Sequence, residues 1–80
     1  MEVEVKLERF QGPFSLLYHL IEKNKIDLAD IPIAQITDQY LAVVQEAQSR
    51  NLDGMSEFLV MAATLLEMKS RLLLPKRAKE

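Results

Sequence analysis

The 80-residue sequence contains no cysteine, one histidine and two glycines, and these shortages argue against several kinds of site. Without cysteine there is no disulfide framework, no thiolate metal site and no Cys/His catalytic pair. His19 and scattered carboxylates provide too few ligands for a metal centre, and we expect His19 to pair with Glu22 on one helix face. Gly12 and Gly54 cannot form a glycine-rich phosphate loop. The sequence therefore predicts a non-enzymatic protein with no catalytic residue, no metal site and no cofactor.

The sequence also lacks a long apolar run. Its first ten residues, MEVEVKLERF, alternate charged and apolar side chains and contain no apolar stretch typical of a signal peptide. The longest apolar run is much shorter than the ~20 residues that a membrane span needs. Together with the absence of cysteine, this pattern predicts a soluble, cytoplasmic protein without membrane contact.

Neither sign of charge dominates, since ten basic and twelve acidic residues give a net charge of −2. This balance argues against a nucleic-acid-binding protein with a globally positive field. The basic residues nevertheless concentrate in the last twelve positions, which contain Lys69, Arg71, Lys76, Arg77 and Lys79. A cationic helix end followed by a solvated tail is the simplest interpretation. The alternative is a small helical nucleic-acid-binding module that contacts phosphates through these five residues.

Three segments have the 3.6-residue apolar period of an amphipathic helix, which predicts a mainly α-helical, three-helix domain. Pro13 and Pro32 suit the first turns of the first two helices, and Pro75 ends the third. The chain is too short for more than one domain, so we assign residues 1–75 to it and read residues 76–80 as the start of a linker. The predicted helices cover about residues 13–24, 32–49 and 54–74.

Residues 2–8 have a period of two, because Val3, Val5 and Leu7 alternate with charged side chains. This alternation predicts a short amino-terminal β-strand. No other segment has a clear strand pattern, so the backbone of this strand would have to pair outside the domain. We therefore expect that the isolated chain can self-associate.

The third helix, in FLVMAATLLEMKSRLLLP, has more apolar surface than two short helices can cover. At about 100° per residue, its apolar residues form two seams that together cover about half of its circumference. The bulky seam contains Phe58, Met61, Leu65, Met68 and Leu72. The small-residue seam contains Met55, Leu59, Ala62, Ala63, Leu66, Ser70 and Leu73. Because only one seam can have an internal partner, we expect the other to bind another helix or a coiled coil.

Residue size favours the small-residue seam as the binding surface, because alanine and serine let a partner backbone approach closely. The alternative is the opposite assignment, with Met61, Leu65 and Leu72 against the partner. Lys69 lies between the seams, either with its ammonium in water or paired with a glutamate of the partner. The predicted partner-binding residues are Leu59, Ala62, Ala63, Leu66, Lys69, Ser70 and Leu73.

Three blocks of the sequence resemble the amino-terminal domain of the bacterial kleisins called segregation and condensation protein A. The blocks are FQGPFSLLYHLI, KIDLADIPIAQITDQYL and SEFLVMAATLLEMKSRLLLP, and their order matches over nearly the whole chain. Three residues depart from the family pattern: Phe14 and Tyr18 stand where leucine is commoner, and Glu67 replaces an apolar or small polar residue.

The resemblance implies a non-enzymatic subunit of the bacterial condensin complex built on SMC (structural maintenance of chromosomes) ATPases. It implies that the third helix packs on the SMC neck, the coiled coil next to one head, and that the kleisin bridges the two heads for chromosome condensation and segregation. It also implies a second accessory subunit bound by regions absent from this sequence, a place at the nucleoid, and DNA contact only through the complex. Carried over by position, the neck contact falls on the seven predicted partner-binding residues.

Overall fold

The computed structural model describes residues 5–73, which form a short 3-10 turn and three α-helices. Helix α1 covers Pro13–Lys23, α2 covers Ile33–Ser49 and α3 covers Ser56–Leu73. Helix α2 packs against both α1 and α3, whereas the contact between α1 and α3 is smaller. The prediction of a mainly α-helical domain with three helices is confirmed. The linker predicted at residues 76–80 lies outside the described residues.

The strand predicted over residues 2–8 is wrong for its carboxy-terminal part. Leu7–Arg9 form the 3-10 turn, and neither Val5 nor Lys6 belongs to a strand. The turn packs against α2 and leaves the Leu7 side chain only 2% exposed. Leu7 is thus buried among helices and needs no neighbouring strand. Residues 2–4, the remainder of the predicted strand, lie outside the described residues.

The first two helices end in the same backbone motif, and each has a non-glycine residue in the left-handed region. This residue is Lys25 after α1, with φ of 54°, and Asn51 after α2, with φ of 56°. In both motifs the N–H groups of this residue and the next donate to carbonyls three and five residues back. This is the Schellman motif, which satisfies carbonyls that the helix end leaves without a partner.

Two polar side chains of α2 fix its position against α3 from inside the core. The Tyr40 hydroxyl donates to the carbonyl oxygen of Phe58 at 2.8 Å, and the Thr37 hydroxyl donates to that of Leu65 at 3.4 Å. Both side chains are 0% exposed, and burial raises the pKa of Tyr40 to about 12. The bonds show that α2 and α3 run antiparallel. Tyr40 is itself part of the core, which among the described residues consists of Leu7, Leu16, Leu20, Ile36, Tyr40, Val43, Val44, Ala47, Met55, Phe58, Ala62 and Leu65.

An arginine fastens the 3-10 turn to the end of α2. The Arg50 guanidinium donates to both carboxylate oxygens of Glu8, at 2.8 and 3.0 Å, and to those of Glu46, at 2.8 and 3.0 Å. Its hydrogen bonds to Glu8 lower the pKa of that carboxyl from 4.5 to about 2. The three side chains are partly exposed, so the network orients the turn more than it stabilises the fold.

Candidate partner-binding surface

Helix α3 buries one narrow stripe of side chains. The stripe contains Met55, which precedes the helix, and Phe58, Ala62 and Leu65, all 4 to 7% exposed. Their spacing of three and four residues places them on one helix face, against α2. The stripe takes members from both predicted seams, so neither seam is buried as a unit. The side of α3 on which α2 packs determines which residues are buried. The positions of residues around the α3 axis do not by themselves reveal that side.

Four of the seven predicted partner-binding residues lie together on one exposed side of α3. Leu59 and Leu66 are 40 and 46% exposed, and Ala63 and Ser70 are exposed beside them. We call these four residues the outer flank. Their spacing of four, three and four residues is that of a coiled-coil seam. The outer flank therefore presents two leucines alternating with two small residues.

The other three predicted residues are placed differently. Ala62 is 6% exposed and contributes to the domain's own core. Lys69 is partly buried, and its ammonium nitrogen lies 2.7 Å from an oxygen of Asp38 on α2. Leu73 is the last residue of α3. Sequence reasoning missed the pairing of Lys69 because Asp38 is 31 positions away and no local pattern links them.

The size of its side chains predicted that the bulky seam fills the core along its whole length, but it does not. Met68 and Leu72 are 41 and 62% exposed. Helix α2 begins at Ile33, four residues before Thr37, and Thr37 bonds to Leu65. Four residues beyond Leu65, α3 thus reaches the level at which α2 begins. The last turn of α3 projects past α2 and leaves Leu72 without cover from α2, whereas Met68, which precedes this level, lies to one side of the buried stripe.

A groove of about 520 Å³ lies between the start of α1 and the first half of α3. We call it the α1 groove, and its surface is mostly apolar although Glu57 and Thr64 also line it. Phe14 and Val60 are 73 and 67% exposed at this surface. Val60 belongs to neither of the two predicted seams, and the sequence marked Phe14 only as a departure from a family pattern. The groove is lined by Pro13, Phe14, Glu57, Val60, Met61 and Thr64.

The described basic residues of the carboxy-terminal end are engaged within the chain. Lys69 pairs with Asp38, and Arg71 pairs with Glu67 at 2.8 Å. Lys76, Arg77 and Lys79 lie outside the described residues. Both described basic residues of this end therefore already bond to a carboxylate within the chain.

The predicted pairing of His19 with Glu22 is absent. The His19 ring lies against Phe10, with ring centroids 5.2 Å apart, while Glu22 accepts a hydrogen bond from the Tyr18 hydroxyl. This hydrogen bond raises the pKa of Tyr18. Within residues 5–73, no group of three or more histidine and carboxylate side chains is placed to hold a metal ion. None of the helices there has both the length and the hydropathy required to cross a membrane.

Comparison with known proteins gives one consistent result. The family model described as "Segregation and condensation protein ScpA" matches residues 20–80. Proteins named "Segregation and condensation protein A" from Caldanaerobacter subterraneus subsp. tengcongensis, Brevibacillus brevis and Bacillus subtilis are 65, 54 and 54% identical to this chain. The matches cover 90, 96 and 99% of this chain but only 29, 30 and 32% of those relatives. The chain thus spans about three tenths of their length.

Proposed function

Because the chain belongs to the segregation and condensation protein ScpA family, we propose that it is a non-enzymatic interaction domain in chromosome condensation and segregation. In this proposal α3 binds the neck coiled coil of an SMC ATPase. The bridging of two SMC heads and the binding of a second accessory subunit are proposed for the longer protein, since this chain spans about three tenths of its relatives. Its contact with DNA is then indirect, at the nucleoid.

The observation that carries the proposal is the outer flank. Leu59, Ala63, Leu66 and Ser70 repeat at coiled-coil spacing over about 16 Å of helix, and all four are exposed. A neighbouring helix can insert its own side chains over Ala63 and Ser70, while Leu59 and Leu66 enter the holes of that helix. The flank thus has both parts of knobs-into-holes packing.

The ion pair between Lys69 and Asp38 borders this surface. Asp38 keeps 62% of its side chain exposed, so its carboxylate can also accept hydrogen bonds from a partner. Lys69 has three N–H donors, and the bond to Asp38 uses one of them. In the proposed complex Lys69 therefore stays paired within the domain and offers its other donors to a glutamate of the neck. Ala62 supports the interface from within the core.

A co-elution and affinity measurement with an SMC head that retains its neck tests the proposal. Leu66→Glu places a carboxylate in the centre of the outer flank, and we expect it to weaken binding by about 100-fold. Leu28→Glu makes the same chemical change at a residue that is 65% exposed in the α1–α2 connection, and it should bind normally. Circular dichroism of both variants checks the fold.

A second variant addresses the close approach of the partner. Ala63→Trp adds bulk where a partner backbone is proposed to lie, and the exposure of Ala63 leaves room for the new side chain in the free domain. We expect it to reduce the affinity for the neck without lowering thermal stability. If folded Leu66→Glu and Ala63→Trp both bind the neck as the unmodified chain does, the outer flank is not the binding surface.

A further inference from the structure

We propose that the α1 groove binds a second copy of this chain, with the two α3 helices antiparallel. In this dimer Met68 and Leu72 of each copy enter the α1 groove of the other. The surface is separate from the outer flank, so the inference goes beyond the proposed function and does not depend on it.

The groove side of α3 is self-complementary about Thr64. Glu57 and Arg71 lie seven residues before and after Thr64, and Val60 and Met68 lie four residues before and after it. When two identical helices cross antiparallel at Thr64, residues equally distant from it come opposite each other. Glu57 then faces the partner's Arg71, and Val60 faces the partner's Met68. A two-fold axis repeats each contact, as in an isologous interface.

The apolar parts of this surface have matching shapes. Phe14 and Val60 border the hollow along the first half of α3. Met68 and Leu72 protrude from the second half, where α2 leaves them exposed. Antiparallel helices place the second half of one copy along the first half of the other, so each protrusion meets a hollow. Methionine is flexible and fills irregular apolar grooves well.

The charges at the two ends of this surface also match. Glu57 lines the groove and makes no ion pair within residues 5–73. Arg71 is 74% exposed in its side chain and bonds to Glu67 through one terminal nitrogen. Its remaining N–H groups can donate to a second carboxylate. The partner's Glu57 is placed to be that carboxylate at each end of the dimer.

The domain already contains an arginine that bonds two carboxylates in this way. Arg50 bonds to Glu46, four residues earlier on its own helix, and to Glu8 from a different segment. Arg71 bonds to Glu67 in the same i, i+4 arrangement. In the dimer, a carboxylate of the partner bonds to Arg71 as Glu8 bonds to Arg50. A closed pair of this kind covers both α1 grooves and leaves neither groove free to bind a third copy.

Sedimentation equilibrium of the 80-residue chain tests the dimer. We expect the mass to rise with concentration from 9.2 kDa towards twice that value. Val60→Glu should reduce dimer affinity by at least about tenfold, because it buries a carboxylate in an apolar contact. Leu59→Glu is the matched control on the outer flank and should dimerise normally. A monomeric mass at every concentration, or an unchanged affinity in folded Val60→Glu, would overturn the proposal.

Charge exchange tests the antiparallel register. Glu57→Arg alone and Arg71→Glu alone each place like charges opposite each other twice in the dimer, so each should weaken it by about tenfold. An equimolar mixture of these two variants should recover a heterodimer, since both contacts then join opposite charges. Unchanged single variants or a mixture that stays monomeric would contradict this register. If the unmodified chain is monomeric and Val60→Glu weakens only neck binding, the groove belongs to the neck and the dimer is wrong.

Discussion

Arg50 joins two carboxylates that are far apart in sequence, since Glu8 lies 42 positions before it. Chiefly through its hydrogen bonds to Arg50, the Glu8 carboxyl of the folded chain has a pKa of about 2, whereas the ordinary value for this group is 4.5. A carboxyl with a lowered folded pKa contributes stability above its unfolded pKa. That contribution is lost as the pH falls from 4.5 to about 2.

We therefore expect Glu8→Gln to make the free energy of unfolding less dependent on pH between 4.5 and 2. Urea denaturation at several pH values measures this dependence, and NMR titration of Glu8 measures the pKa directly. Arg50→Gln is the control, because removing the guanidinium should return the pKa of Glu8 towards its usual value. An equal pH dependence in Glu8→Gln and the unmodified chain would contradict this account.

At the scale of the helices, their ends were predictable to within about two residues. Pro13 and Pro32 mark two starts, and the apolar period marks the lengths. The carboxy-terminal part of the predicted strand was wrong because alternation over seven residues does not distinguish a strand from a turn that buries a single leucine. The burial of Ala62 and the exposure of Met68 could not be predicted from the sequence either, because they depend on where α2 packs against α3.

The Schellman motif after α1 gives a prediction for a single backbone position. Lys25 has φ of 54°. This left-handed conformation is energetically unfavourable for a residue that has a Cβ atom, but glycine adopts it at little cost in free energy. We expect Lys25→Gly to raise the free energy of unfolding by about 0.5 to 1 kcal/mol. Asn51→Gly should gain less, because asparagine tolerates this region better.

Urea denaturation of both variants measures these differences. Lys23→Gly, which places glycine within the last turn of α1, is the matched control and should lower stability by about 0.5 to 1 kcal/mol. A loss of stability in Lys25→Gly would show that its side chain makes a compensating contact.

At the scale of the whole molecule, the fold rests on one core, which among the described residues consists of eleven apolar side chains and Tyr40. An 80-residue domain of average stability unfolds at a cost of roughly 4 to 12 kcal/mol. Leu16 is 0% exposed, and we expect Leu16→Ala to remove about 2 to 5 kcal/mol of that. Leu28→Ala, at a residue 65% exposed, should change stability by less than about 0.5 kcal/mol.

Urea denaturation monitored by circular dichroism compares these two variants with the unmodified chain. If Leu16→Ala and Leu28→Ala destabilise the chain equally, the core does not lie where the structure places it. A small core also explains why the chain cannot hide all the apolar surface of α3.

The projection of α3 past α2 has a consequence for amide hydrogen exchange. Amides near Ala62 and Leu65 lie inside α3 on the face that packs against α2 and should exchange only when the whole domain unfolds, whereas those after Ser70 can exchange by local fraying. One continuous helix would then contain a slowly exchanging middle and a rapidly exchanging last turn. A second copy of the chain whose α1 groove receives Met68 and Leu72 would slow exchange in this last turn, so the exchange gradient along α3 would report dimer formation without a mutation.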